Sequence, residues 1–166
     1  MKNFIYFSMF IFFCGFLRSI VLAAPRVHRL RSGSTSYSVY NGNKKLWEIH
    51  AERAKGNSHE IKAFSIKGIL YRNKKTAYYL TSLKAVLNLR SGNVFFPDGV
   101  LLYGKNGEVI QVHWLVWSKR QKRFIGTKGI RVIRRHSVLQ GDEMVLKKNF
   151  KNLVLQGNVK VKLLPQ

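Results

Sequence analysis

The side chains able to do acid–base or metal chemistry are few in this chain, and their spacing does not suit it. Seven acidic residues, Glu48, Glu52, Glu60, Asp98, Glu108, Asp142 and Glu143, stand against thirty Lys and Arg. Asp98 belongs to an Asp-Gly turn signal, Glu108 just follows an Asn-Gly one, and Asp142-Glu143 follows Gly141. None forms a pair spaced for a general acid and a general base. The five histidines, His28, His50, His59, His113 and His136, are scattered and show no metal-ligand spacing. The one cysteine, Cys14, lies in an apolar N-terminal run, so the chain beyond it has no thiol nucleophile and no internal disulfide. A Gly-x-Ser-x-Gly elbow and a phosphate-binding loop are both missing. The expectation is a protein that is not an enzyme, with no metal and no cofactor.

The charge points to a binding role. The net charge of +23 predicts an anionic partner or surface. The basic doublets Lys44-Lys45, Lys74-Lys75, Lys119-Arg120, Lys122-Arg123, Arg134-Arg135 and Lys147-Lys148 fall where strands end or turn. Scattered basic tips fit a groove-reading nucleic-acid module poorly. A phosphorylated lipid suits them better, and a basic nucleic-acid or surface-binding module is the alternative of another class.

The elements that must position these tips read as strands. Leu46–Ala51 alternates, with Trp47, Ile49 and Ala51 on one face. Similar alternation runs through 61–71 with Phe64 and Ile66, 77–82 with Tyr78 and Leu80, and 109–117 with Ile110, Val112 and Trp114. Residues 86–96, 124–133, 137–146 and 151–164 complete the set, with Gly68 marking a bulge or bend and Gly92-Asn93 crossed within a strand. Asn41-Gly42-Asn43, Asp98-Gly99 and Asn106-Gly107 are turn signals, the last two of hairpin type. Ala51–Lys55 looks helical only briefly. Two echoes suggest similar rungs. Gly92-Asn93-Val94 matches Gly157-Asn158-Val159, and Trp47–Ala54 matches Tyr78–Ala85 as aromatic-x-aliphatic-x-small-x-basic-Ala.

Before the strands, Phe4–Leu17 is almost wholly apolar, Arg18 interrupts it, and 19–24 is apolar again. It reads as a membrane anchor with Arg18 snorkelling, or as a signal segment with a small-residue site near Val21-Leu22-Ala23. The organisation expected is an N-terminal anchor or uncleaved signal-like segment over 1–25, a basic Ser-rich linker over 26–38, and a β domain over 39–166.

Taken in order, several phrases resemble a known family. They are Trp47-Glu-Ile-His-Ala-Glu-Arg-Ala54, Gly92-Asn-Val94, Asp98-Gly99, Val109–Trp117, Thr127 with Ile130–Ile133, Leu139-Gln-Gly-Asp-Glu-Met144 and Leu153–Val159. Their order and spacing resemble the LptC family of lipopolysaccharide export, related to the LptA/OstA-like superfamily, from about Tyr37 onward. The resemblance implies an all-β fold, a twisted open β-jellyroll after one N-terminal hydrophobic helix. It implies a single-pass inner-membrane protein with its C-terminal domain in the periplasm. Such a protein takes lipopolysaccharide from the inner-membrane ABC transporter and passes it to a periplasmic LptA-like bridge, with no nucleic-acid partner. A cleaved, soluble LptA-like bridge protein is the nearer alternative.

On this reading the apolar interior is a lipid groove. Its candidates are Trp47, Ile49, Phe64, Ile66, Tyr78, Leu80, Ile110, Val112, Trp114, Val132, Leu139 and Leu155. The open C-terminal strand supplies a partner edge, with Leu153, Leu155, Gly157, Val159 and Val161 as candidates.

Overall fold

A computed structural model describes residues 30–147 and 150–165. Thirteen strands make one antiparallel sheet: β1 (Leu30–Ser32), β2 (Thr35–Asn41), β3 (Lys44–Gly56), β4 (Glu60–Arg72), β5 (Lys75–Asn88), β6 (Val94–Phe96), β7 (Val100–Gly104), β8 (Val109–Val112), β9 (Trp114–Ser118), β10 (Arg123–Arg134), β11 (Ser137–Lys147), β12 (Leu153–Gln156) and β13 (Lys160–Leu163). The backbone path runs β1-β3-β4-β5-β6-β9-β10-β11-β12, with β2 on β3, β7 on β5 and β8, β8 on β10, and β13 on β11. Among the described residues no helix is long and apolar enough to cross a membrane. The predicted N-terminal anchor lies outside the described residues.

A crease crosses the sheet and divides it into two leaves. Glu52, Ser65 and Leu83 are left out of the ladders of the long strands β3, β4 and β5. Pro97-Asp98-Gly99 separates β6 from β7, His113 separates β8 from β9, and Gly157-Asn158-Val159 separates β12 from β13. On β10 the register shifts between Thr127 and Ile130, where Lys128 and Gly129 both have positive φ. Ser65 takes φ 56, outside the strand region, and one such residue exchanges the two faces of the strand beyond it. Buried positions accordingly step from Ala51 to Ala54 on β3 and from Ile66 to Ala63 on β4.

The first leaf holds β2, β7, β8, β13 and the adjoining halves of the long strands. The second holds β1, β6, β9, β12 and the other halves. The sheet folds along the crease so that the leaves pack face to face. Trp47 of the first leaf meets Trp117 and Phe124 of the second, each at a ring-centroid distance of 5.4 Å. Phe150, from the segment between β11 and β12, stacks on Phe124 at 6.1 Å and is fully buried. Lys122 Nζ donates to Asn41 Oδ1 at 2.8 Å, joining the tips of the two leaves. Burial of each large side chain in this cluster contributes roughly 1.5–3 kcal/mol.

Several sequence expectations change. Gly92-Asn93 is a tight turn that reverses β5 into β6, and is not crossed by a strand. Gly157-Asn158 instead carries the chain across the crease, because β12 and β13 both pair with β11. The two Gly-Asn-Val phrases therefore share a positive-φ glycine but no structural role. Asp98-Gly99 likewise crosses the crease and makes no hairpin, since β6 and β7 both pair with β5. Ala51–Lys55 is strand, and the composition that reads as a linker over 26–38 includes β1 and part of β2. Gly68 sits in regular register, where a Cβ would lie 2.8 Å from both Glu48 O and Ile49 Cγ2. Close strand packing explains the glycine better than a bulge does.

Candidate functional site

Alanines make room inside the second leaf. Ala54 pairs with Ala63, and Ala63 pairs with Ala85, so three small side chains stand in register across β3, β4 and β5. All three are buried. Beside them the leaves leave an apolar cleft of about 90 Å³, lined by Tyr37, Ile49, Ala51, Ile61, Ala63, Ala85, Leu87 and Val94, with Thr35 and Ser36 at its mouth. β2 forms one lip, and among the described residues its one ladder is with β3. Near the crease a Cβ on Gly126 would lie 2.6 Å from Met144 and 2.8 Å from Val112.

The second sequence echo has a structural meaning. Trp47 and Tyr78 both pair with Leu70, and Ala54 and Ala85 both pair with Ala63. The two eight-residue phrases are equivalent rungs on either side of β4. The terminal alanine of the second phrase, Ala85, lines the cleft and is the signal that could have located it, yet Ala63, Ala85, Ile61 and Leu87 were missed as site residues. Alanine carries little hydropathic weight, so alternation draws attention to the large residues instead.

The predicted interior residues divide by position. Trp47, Ile49, Ile66, Tyr78, Leu80, Ile110, Val112 and Val132 are buried in the core, and Leu139 and Leu155 pack against it half-buried. Only Ile49 of these lines the cleft. Phe64 and Trp114 are on the outer face, against the alternation that puts them inside. The crease is the reason. Ser65 exchanges the faces between Ile66 and Phe64, and His113 does so between Val112 and Trp114. Phe64 lies under Arg53 and Lys55 at 5.9 and 5.4 Å, and Trp114 lies under Lys128 at 5.1 Å.

The predicted partner edge is two strands rather than one. Leu153 and Leu155 belong to β12, Val161 belongs to β13, and Gly157 and Val159 lie in the break between them. Among the described residues both strands pair with β11 alone. Val159, Val161 and Leu163 are exposed, Leu163 at 77%.

Among the described residues no group of three or more His, Cys, Asp or Glu could hold a metal ion. Two carboxylates instead anchor hydrogen-bonded clusters. Glu48 accepts from Lys45 Nζ at 2.6 Å and from Tyr71 OH. These bonds, Lys45 first, hold its carboxyl below the usual range. Glu108 accepts from Tyr78 OH at 2.7 Å and Arg134 Nε at 2.8 Å. Burial, then that hydrogen bond, pushes the Tyr78 phenol far up, so it stays protonated. The indole Nε1 atoms of Trp47 and Trp117 are buried without a hydrogen-bond partner. An open groove of about 650 Å³ follows the outside of the crease past Leu83, Asp98, His113 and Lys128. Its tie is backbone: His113 N donates to Lys128 O, and Gly99 N donates to His113 O, each at 3.0 Å.

No protein-family model matches the chain, and no curated protein does. A solved structure of LptH from Pseudomonas aeruginosa, described as the LptA-homologous periplasmic component of the lipopolysaccharide transport device, is similar at a TM-score of 0.33 and 7% identity. The alignment covers 81% of this chain and 96% of that one. A superposition this loose leaves the functional reading to the geometry above.

Proposed function

We propose that the domain is a non-enzymatic carrier of lipopolysaccharide. The acyl chains enter between the leaves at the alanine-lined cleft, and the phosphorylated sugars stay outside near the basic loop tips. The observation that carries this reading is the ladder Ala54–Ala63–Ala85, which makes room where the leaves also open to solvent. At about 90 Å³ the cleft is smaller than ligand pockets of roughly 300–1,000 Å³. Loading therefore requires the leaves to part, and β2, laddered on one side among the described residues, is the element that can move.

In the finer form of the proposal the chain acts as an LptC-like, single-pass inner-membrane protein. It receives lipopolysaccharide from the ABC transporter and offers the edge of β12 and β13 to an LptA-like bridge. The purified chain is tested with lipopolysaccharide and, separately, with single- and double-stranded nucleic acid at matched salt. Saturable loading with lipopolysaccharide alone supports the carrier. Binding to nucleic acid without lipid loading would instead support the basic-module reading. Membrane fractionation with sequencing of the mature N-terminus separates the anchored protein from a cleaved one.

A further inference from the structure

On the outer face of the second leaf one row is apolar, between the polar row Ser118, Arg123 and Lys147 on one side and Thr127, Glu143 and Gln156 on the other. Val86 pairs with Phe95, Phe95 with Val116, Val116 with Ile125, Ile125 with Val145, and Val145 with Val154. The flanking residues of each point into the core, so these six side chains form one outward row. At the usual strand spacing the row is about 24 Å long. It contains no hydroxyl and no charge, where an antiparallel sheet facing water normally alternates to polar residues. Apolar surface this continuous marks a contact site. The two aromatics that the crease turns outward, Phe64 and Trp114, flank it.

We propose that this outer face of the second leaf lies on an anionic phospholipid bilayer. Charge argues for that occupant. The row continues across β4 and β3 as Lys62 and Lys55, and Lys84 and Arg53 stand beside Phe64. Glu60, the carboxylate beside this cluster, is held by Lys62 at 2.8 Å. An apolar strip with cations at its end is the pattern of proteins that lie in the membrane interface. The path of the chain agrees. β1 is on the second leaf, paired with the end of β3, and only residues 25–29 separate it from the apolar stretch that ends at Ala24. Five residues reach at most about 18 Å. Val86 is three strands from β1, about 14 Å. A bilayer holding that stretch is thus within reach of the row. The first leaf also has an outer apolar row, through Ile69, Tyr79, Tyr103, Val109 and Ile133, but it carries two tyrosine hydroxyls and no such tether. This inference rests on the anchored reading proposed above and is independent of what the cleft between the leaves carries.

The full chain, with Cys14→Ser, is reconstituted into phosphatidylcholine–phosphatidylglycerol vesicles. A fluorophore is placed at Phe95→Cys, Ile125→Cys, Tyr103→Cys or Gln111→Cys, one site at a time. Labels at 95 and 125 are expected to be quenched by nitroxide lipids and shielded from acrylamide, and those at 103 and 111 the reverse. Lys62→Gln and Lys84→Gln should each lower the docked-to-free ratio by roughly fivefold. Replacing the vesicles with pure phosphatidylcholine should release the face. Equal acrylamide access at 95, 125 and 111 would overturn the proposal. So would membrane contact at 103 instead, or the same shielding in lipid-free detergent, which would mean that a second copy covers the face.

Discussion

Ala63→Leu tests whether the alanine ladder holds the cleft open for an acyl chain. Ala63 is buried between Ala54 and Ala85 and lines the cleft of about 90 Å³. At about 24 cal/mol per Å³, filling that volume returns at most about 2 kcal/mol. Overpacking where the added carbons touch Ile61 and Leu87 costs about 1–3 kcal/mol. The two nearly cancel, so stability should move by no more than about 1 kcal/mol by urea denaturation. Lipid capacity has no such compensation, because the added side chain occupies the cleft itself. Lipopolysaccharide bound per mole of purified protein, measured from its phosphate and fatty acids, should fall severalfold. Full loading of a normally stable Ala63→Leu chain would refute the reasoning, since the ladder would then be packing alone. A loss of 3 kcal/mol or more would show that no usable space exists there.

Other outcomes follow from the same geometry. Gly68→Ala should cost about 1–3 kcal/mol in urea denaturation, because its Cβ would press on Glu48 O and Ile49 Cγ2 at 2.8 Å. Glu48 has a depressed carboxyl pKa, so its contribution is present above the ordinary carboxylate range and is lost as pH falls through the folded value. The stability gap between the native chain and Glu48→Gln should be largest near neutral pH and close in acid. Val161→Glu with Leu163→Glu should leave stability within about 0.5 kcal/mol, since both sites are exposed. It should still abolish copurification with the bridge protein if this edge docks, and intact copurification would move the contact elsewhere.

Alternation made most strands legible, and with them the all-β class. Trp47, Ile49, Tyr78, Leu80, Ile110 and Val112 alternate as their burial does, because each stays on one side of the crease. Phe64 and Trp114 lie just past it, and a period-two reading carried through Ser65 or His113 inverts every following residue. Neither a serine nor a histidine announces a break in sequence. Gly157-Asn158 does announce one, but an identical phrase at Gly92-Asn93 makes a hairpin. Which of these a glycine serves depends on whether the flanking strands pair with each other or with a common neighbour, and local sequence does not encode that choice. The cleft was half legible: the echo of Trp47–Ala54 in Tyr78–Ala85 gave two alanines, while Ala63 lies on the strand between them, outside either phrase.

The central claim, that lipid passes between the leaves, is tested most directly by site-specific photocrosslinking in cells that make lipopolysaccharide. A photoreactive residue at Ile49 faces the cleft, whereas one at His50 on the same strand faces solvent. Leu87 at the cleft and Gln111 on the outer face extend the comparison. Lipopolysaccharide adducts are expected at Ile49 and Leu87 and none at His50 or Gln111. Equal labelling at all four positions, or labelling at the two outer positions alone, would contradict it.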